Sequence, residues 1–155
     1  MNKVHVEASA TIDARAEEIY AVLADYRTGH PAIVPKAYFT SLEVEKGGQG
    51  AGTIVQIRMK VFGVERAFRQ LVSEPEPGRV LVEADLASDL ATTFTVEPVG
   101  GVQSRVTIAT DFVPSPGITG FVERVLNPPV LRRIYREELK QLAAYMKAQH
   151  TVDAS

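Results

Sequence analysis

Apolar and polar positions alternate at the start of the chain. Val4, Val6, Ala8 and Ala10 are separated by His5, Glu7 and Ser9, the period-two signature of a half-buried strand. The period lengthens after Asp13, where Ala16, Ile19, Tyr20 and Leu23 fall at helical spacing with Arg15, Glu17 and Glu18 between them. Asp13 is placed to cap this helix, and Glu17 and Glu18 suit the positive end of its dipole. From Tyr26 to Pro35 the pattern breaks: Gly29, Pro31 and Pro35 leave room for one helical turn and no more.

Strand-like runs then follow in series: Tyr38 to Glu45, Thr53 to Val61, Val64 to Val72, Val80 to Ala84, Leu90 to Val96 and Arg105 to Phe112. Glycine and proline clusters separate them. Gly63 at the second position of Phe62-Gly63 supplies the positive φ of a two-residue type I′ hairpin. Helical character occupies about thirty residues from Gly117 to Gln149, interrupted at Asn127-Pro128-Pro129. A proline pair removes amide donors and disfavours helix just before it, which predicts a short helix, a kink and a longer helix. Leu131, Ile134, Tyr135, Leu142 and Met146 form the apolar stripe of the longer one. Arg132, Arg133 and Arg136, with Glu137 and Glu138 beside them, read as a solvated face, and Thr151 to Ser155 as a frayed tail.

A lone antiparallel sheet has one face to cover, and a long terminal helix is a natural cover. The expected class is α+β: a single curved antiparallel sheet of about seven strands wrapped around a long C-terminal helix, in one domain over residues 1–155.

The hairpin fixes which residues share a face. A Phe62-Gly63 turn opposes Val61 to Val64, Lys60 to Glu65, Met59 to Arg66 and Ile57 to Phe68, and directly opposed residues point the same way. One face then holds Val55, Ile57, Met59, Val61, Val64, Phe68 and Val72, with Arg66 and Gln70 among them, and should point inward. Arg66 is the one charge this hairpin sends inward. It should meet a carboxylate, a ligand anion or water at a cavity rim, or else snorkel to solvent from near the hairpin tip. Alternation also groups Thr92 with Phe94, and Thr110 with Phe112; Phe94, Phe112 and Tyr135 are candidates to line a cavity or simply to fill a core.

Composition narrows the functions. The 17 basic and 19 acidic residues give a net charge of −2, which points to neither nucleic acid nor anionic membrane. The absence of cysteine removes disulfides, thiolate nucleophiles and cysteine-ligated metals. No apolar run approaches the ~18 residues of a membrane span, and the N-terminus lacks the apolar core of a signal peptide, so a cytoplasmic location is expected. His5, His30 and His150 lie far apart without metal-ligand spacing. The glycine-rich 47–52 stretch fails GxGxxG, because Thr53 takes the third glycine position, and reads as a hairpin loop. No GxSxG elbow is present. No pattern calls for a cofactor or a metal, and none bears on oligomeric state.

The stretch from Ala10 to Tyr26, with the terminal Leu139-Lys140-Gln141-Leu142-Ala143-Ala144-Tyr145-Met146, resembles the opening strand and helix and the closing helix of the START-like, helix-grip superfamily, in its polyketide cyclase and lipid-transport group. A proline often sits in that group where this chain has Arg15. The resemblance covers nearly the whole chain and implies the helix-grip fold with a hydrophobic cavity. It transfers no catalytic residue, since the superfamily shares none. It places the irregular Tyr26 to Pro35 segment at the cavity mouth, where His30 could do chemistry, although a solvated loop residue is the simpler reading of a histidine between Gly29 and Pro31.

The expected function is binding or transport of a small hydrophobic or amphipathic ligand, such as a lipid, quinone, isoprenoid or polyketide-like compound. Tyr26, His30, Ile57, Met59, Arg66, Phe68, Phe94, Phe112 and Tyr135 are the candidate ligand-binding residues. The alternatives are an aromatase or cyclase using His30 or Arg66, and a protein-interaction module. Catalysis predicts at least two polar groups converging inside the cavity.

Overall fold

The computed structural model describes residues 3–114 and 127–153. The alternating runs become seven strands: β1 (Val4–Ile12), β2 (Phe39–Lys46), β3 (Ile54–Val61), β4 (Val64–Glu76), β5 (Val80–Asp85), β6 (Ala91–Gly100) and β7 (Gln103–Phe112). The helices are α1 (Ala16–Ala24), α2 (Gly29–Ile33) and α3 (Pro128–Asp153). All seven strands form one antiparallel sheet in the order β1-β7-β6-β5-β4-β3-β2. Strands β2 to β7 meander in chain order, and β1 closes the far edge beside β7.

The β3–β4 hairpin has the expected register, from Val61 opposite Val64 to Ile57 opposite Phe68. Its two turn residues both have positive φ, 50° at Phe62 and 78° at Gly63, as a type I′ turn requires. The inward face of the sheet and the stripe of α3 share one core. Leu131, Ile134, Tyr135, Leu139, Leu142 and Met146 are buried on α3 against Val6, Phe94, Ile108 and Phe112 of the sheet.

Pro128 and Pro129 open α3, where a missing N–H costs nothing because first-turn amides have no helical partner. The short helix and kink expected before them fall in residues outside the described ones. The frayed tail is a correction over Thr151 to Asp153, where α3 continues with the Thr151 hydroxyl donating to the Lys147 carbonyl at 3.0 Å; Ala154 and Ser155 lie outside the described residues. Asp13 does not cap α1, whose N-cap is Arg15 with no side-chain bond. The turn from the Ala14 amide back to the Ile12 carbonyl intervenes, and Asp13 Oδ1 instead accepts from Gln103 Nε2 at 2.6 Å.

The pairing of β1 with β7 places His5 opposite Asp111, with Nδ1 2.7 Å from Oδ1. This hydrogen bond holds the His5 imidazolium above the usual histidine range. A raised folded-state value means that the contribution is fully present below about pH 6.5, the unfolded value, and is lost as pH rises through the folded one. His5→Gln should therefore flatten the fall in melting temperature between about pH 6 and pH 8, by a small amount because the pair is half exposed. Parallel melting curves for the two proteins across that range would remove the pair from the account.

Candidate functional site

Between α3 and the sheet lies a cavity of about 50 Å³. Ile57 and Met59 of β3, Phe68 of β4 and Phe94 of β6 form its apolar walls. The opposite character comes from one row of the sheet. Glu83 of β5 lies opposite Thr92 of β6, and Thr92 opposite Thr110 of β7, so three polar side chains on adjacent strands point to the same side. Thr92 and Thr110 share a hydroxyl hydrogen bond of 2.7 Å, and Thr110 bonds in turn to the Tyr135 hydroxyl of α3. Burial pushes the Tyr135 phenol up, so it stays protonated. Glu138, three residues on and therefore on the same face of the helix, is 3% exposed and also lines the cavity. Burial first, and the neighbouring Glu83 carboxyl second, hold Glu138 well above the usual carboxylate range.

His30 reaches this group from α2. The Asp25 carboxylate accepts from the amides of Arg27, Thr28 and Gly29 at 3.1, 3.2 and 3.3 Å, which fixes the turn into the short helix. Gly29 is required for close packing: a Cβ there would lie 2.6 Å from the Val22 carbonyl of α1. The His30 ring stacks on Tyr26 at 4.5 Å and meets the edge of Phe94 at 5.3 Å. Its Nδ1 is 2.7 Å from the Leu23 carbonyl, which can only accept, so Nδ1 carries a hydrogen. Nε2 is left to face Glu83 Oε2 at 3.4 Å, and one proton between these two atoms satisfies both. The Tyr26 hydroxyl donates to the same Oε2 at 2.7 Å. Burial, then the Glu83 carboxyl, push the Tyr26 phenol well up.

Of the residues expected at a ligand site, His30, Ile57, Met59, Phe68, Phe94 and Tyr135 come together on the cavity wall. Tyr26, Arg66 and Phe112 do not line it. Tyr26 stands behind His30, and Phe112 is packed in the core. Arg66 shares a face with Phe68 but sits half-buried near the hairpin tip. The solvated-loop reading of His30 is overturned, since the residue is 2% exposed. Packing of α2 against α1 and α3 turns its ring inward.

Sequence reasoning missed Glu83 and Glu138 as site residues. In β5 the apolar positions Val80, Val82 and Ala84 suggest the inward face, yet Leu81 and Glu83 are the buried pair. Glu138 occupies a core position seven residues after Leu131, a spacing that was present in the sequence. Gln70 was placed inward by the hairpin and lines the cavity. Among the described residues, no group of His, Asp or Glu is arranged to hold a metal, and no helix is long and apolar enough to cross a membrane.

A seven-stranded antiparallel sheet gripping a C-terminal helix over an internal cavity defines a helix-grip protein. The chain belongs to the family described as polyketide cyclase / dehydrase and lipid transport, which it matches over residues 3–147. No curated protein sequence matches it. It is similar to the KanY protein solved by NMR, with 29% identity, a TM-score of 0.81, and coverage of 95% of this chain and 99% of that one. The Zhui aromatase/cyclase from a Streptomyces species shares 20% identity at a TM-score of 0.73, over 94% of each chain. Norcoclaurine synthase from Thalictrum flavum shares 15% identity at a TM-score of 0.71, over 95% of this chain and 88% of that one. The last two likenesses are of fold alone.

Proposed function

We propose that the protein binds one small amphipathic molecule, such as a quinone, isoprenoid, lipid or polyketide-like compound, in the cavity beneath α2. The observation that carries this is the split character of the wall: Ile57, Met59, Phe68 and Phe94 on one side, and the Glu83, Thr92 and Thr110 row with Glu138 on the other. An apolar body and an oxygen-bearing end would each find a matching surface. At about 50 Å³ the cavity has room for only about one or two water molecules, so a ligand must widen it. Val34 and Phe39 line both the cavity and an outer groove beside Pro31 and Leu42, and thus separate the two. Movement of these side chains would join them.

The convergence of His30, Glu83, Tyr135 and Glu138 supports a second reading, proton transfer on an enolisable carbonyl compound. A histidine with one nitrogen clamped on a carbonyl and the other beside a carboxyl is equipped to pass a proton. The aromatase/cyclase and the norcoclaurine synthase solved with dopamine and hydroxybenzaldehyde are enzymes of this fold.

An environment-sensitive apolar dye should bind at about one equivalent and be displaced by a quinone. Absence of saturable binding across a panel of such probes would sink the binding reading. For the catalytic reading, a bound β-diketone should take up solvent deuterium at its α-carbon faster than in buffer, and His30→Phe should abolish the difference. Uptake unaffected by that change would leave binding alone.

A further inference from the structure

Gln70 carries information about the ligand that the rest of the wall does not. It sits on β4 between Val55 and Asp85 on the neighbouring strands, and its side chain faces the cavity. The residue is 5% exposed, and its Oε1 has no hydrogen-bond partner among the described residues. A buried amide oxygen without a donor is unfavourable, and a native fold keeps one where something else supplies the hydrogen. Across the same cavity the ionisable groups are His30, Glu83, Tyr135 and Glu138, and no lysine or arginine lies among the described lining residues.

Resting on the binding reading above, we propose that the cavity selects an uncharged ligand bearing a hydroxyl, as a phenol, enol or alcohol, whose O–H donates to Gln70 Oε1, and that it turns carboxylates away. The other acceptors are less available: Glu83 Oε2 already takes the Tyr26 hydroxyl and faces His30. An anion would enter beside the Glu83 and Glu138 carboxyls with no lysine or arginine among the described wall residues to meet it. A hydroxyl instead fills an acceptor that an apolar analogue leaves unpaired, and this asymmetry makes a buried polar group selective.

The test compares 2-naphthol, naphthalene and 2-naphthoate by their own fluorescence, which no tryptophan obscures because the chain has none. The wild-type protein should bind 2-naphthol about tenfold more tightly than naphthalene, as one net hydrogen bond allows, and 2-naphthoate more weakly than either. Gln70→Leu should bring 2-naphthol to the level of naphthalene while naphthalene itself changes by less than about twofold. Its melting temperature should hold or rise, since an unpaired acceptor is gone. Gln70→Met, less branched, repeats the comparison should leucine disturb the sheet. Equal affinities for 2-naphthol and naphthalene in the wild type would overturn the assignment, as would a preference for 2-naphthol that survives in both variants, or tight binding of 2-naphthoate. Binding of naphthalene with no gain from the hydroxyl defeats this inference and leaves the binding reading standing. Failure of all three probes to bind defeats both.

Discussion

Glu138→Gln raises the melting temperature at pH 8 and leaves it nearly unchanged at pH 4. Burial and the Glu83 carboxyl hold Glu138 protonated in the folded state well above the usual carboxylate range. The sign follows from linkage. Below the unfolded carboxyl value, about 4.3, both states hold the proton and Glu138 imposes no pH-dependent penalty. As pH rises above it, the unfolded chain releases its proton first, so unfolding is favoured increasingly until the folded value is reached. An amide of the same shape has no proton to lose and escapes this penalty. Each tenfold by which the folded carboxyl holds its proton more tightly than the unfolded one is worth about 1.4 kcal/mol above both values. For a domain of this size that is about 3–6 °C at pH 8 for each tenfold. Melting curves for the two proteins that run parallel from pH 4 to pH 8 would show that Glu138 is not held neutral.

Glu83→Leu lowers stability by about 2–5 kcal/mol in chemical denaturation at pH 7, because it leaves two buried groups without their partner. The Tyr26 hydroxyl loses the oxygen it donates to, and His30 Nε2 faces a methyl group. Glu83→Gln recovers part of the loss: with its carbonyl oxygen at the Oε2 position it still accepts from Tyr26, although His30 Nε2 faces that same oxygen and gains no donor from it. A leucine variant as stable as the wild type would mean that Tyr26 and His30 repack onto other partners, and that Glu83 is not the hub of the site.

The parts of the fold that were legible in the sequence are those that repeat. Period-two alternation located each strand, and a single glycine at position 63 fixed the register of a hairpin and so the inward direction of Ile57, Met59, Phe68 and Gln70. Local pattern is uninformative where tertiary pairing decides. In β5 the valines and Ala84 are half-buried and Glu83 is buried, because the opposition of Glu83 to Val72 and Thr92 sets the direction of the whole strand. Glu138 looked like a surface residue by its charge, although its spacing from Leu131 already placed it on the buried stripe. His30 could not be oriented from its neighbours, because its burial depends on the Leu23 carbonyl of α1, the Tyr26 ring in the turn that follows and Phe94 of β6. A site assembled from a row across β5, β6 and β7 and two turns of α3 leaves no contiguous motif to read.

The position of β1 beside β7 has a consequence for how the protein is made. Among the described residues, Val4 to Ile12 finds its only sheet partner in Gln103 to Phe112, so β1 leaves the ribosome well before the strand it pairs with. At ordinary synthesis rates the intervening ~90 residues take ~5–20 s. Through that interval an amphipathic strand has its amides and carbonyls unpaired, a state open to wrong pairing with other chains. The alternating His5, Glu7 and Ser9 on its outer face then act as protection during synthesis, and a cell that slows translation late in this message would prolong the hazard.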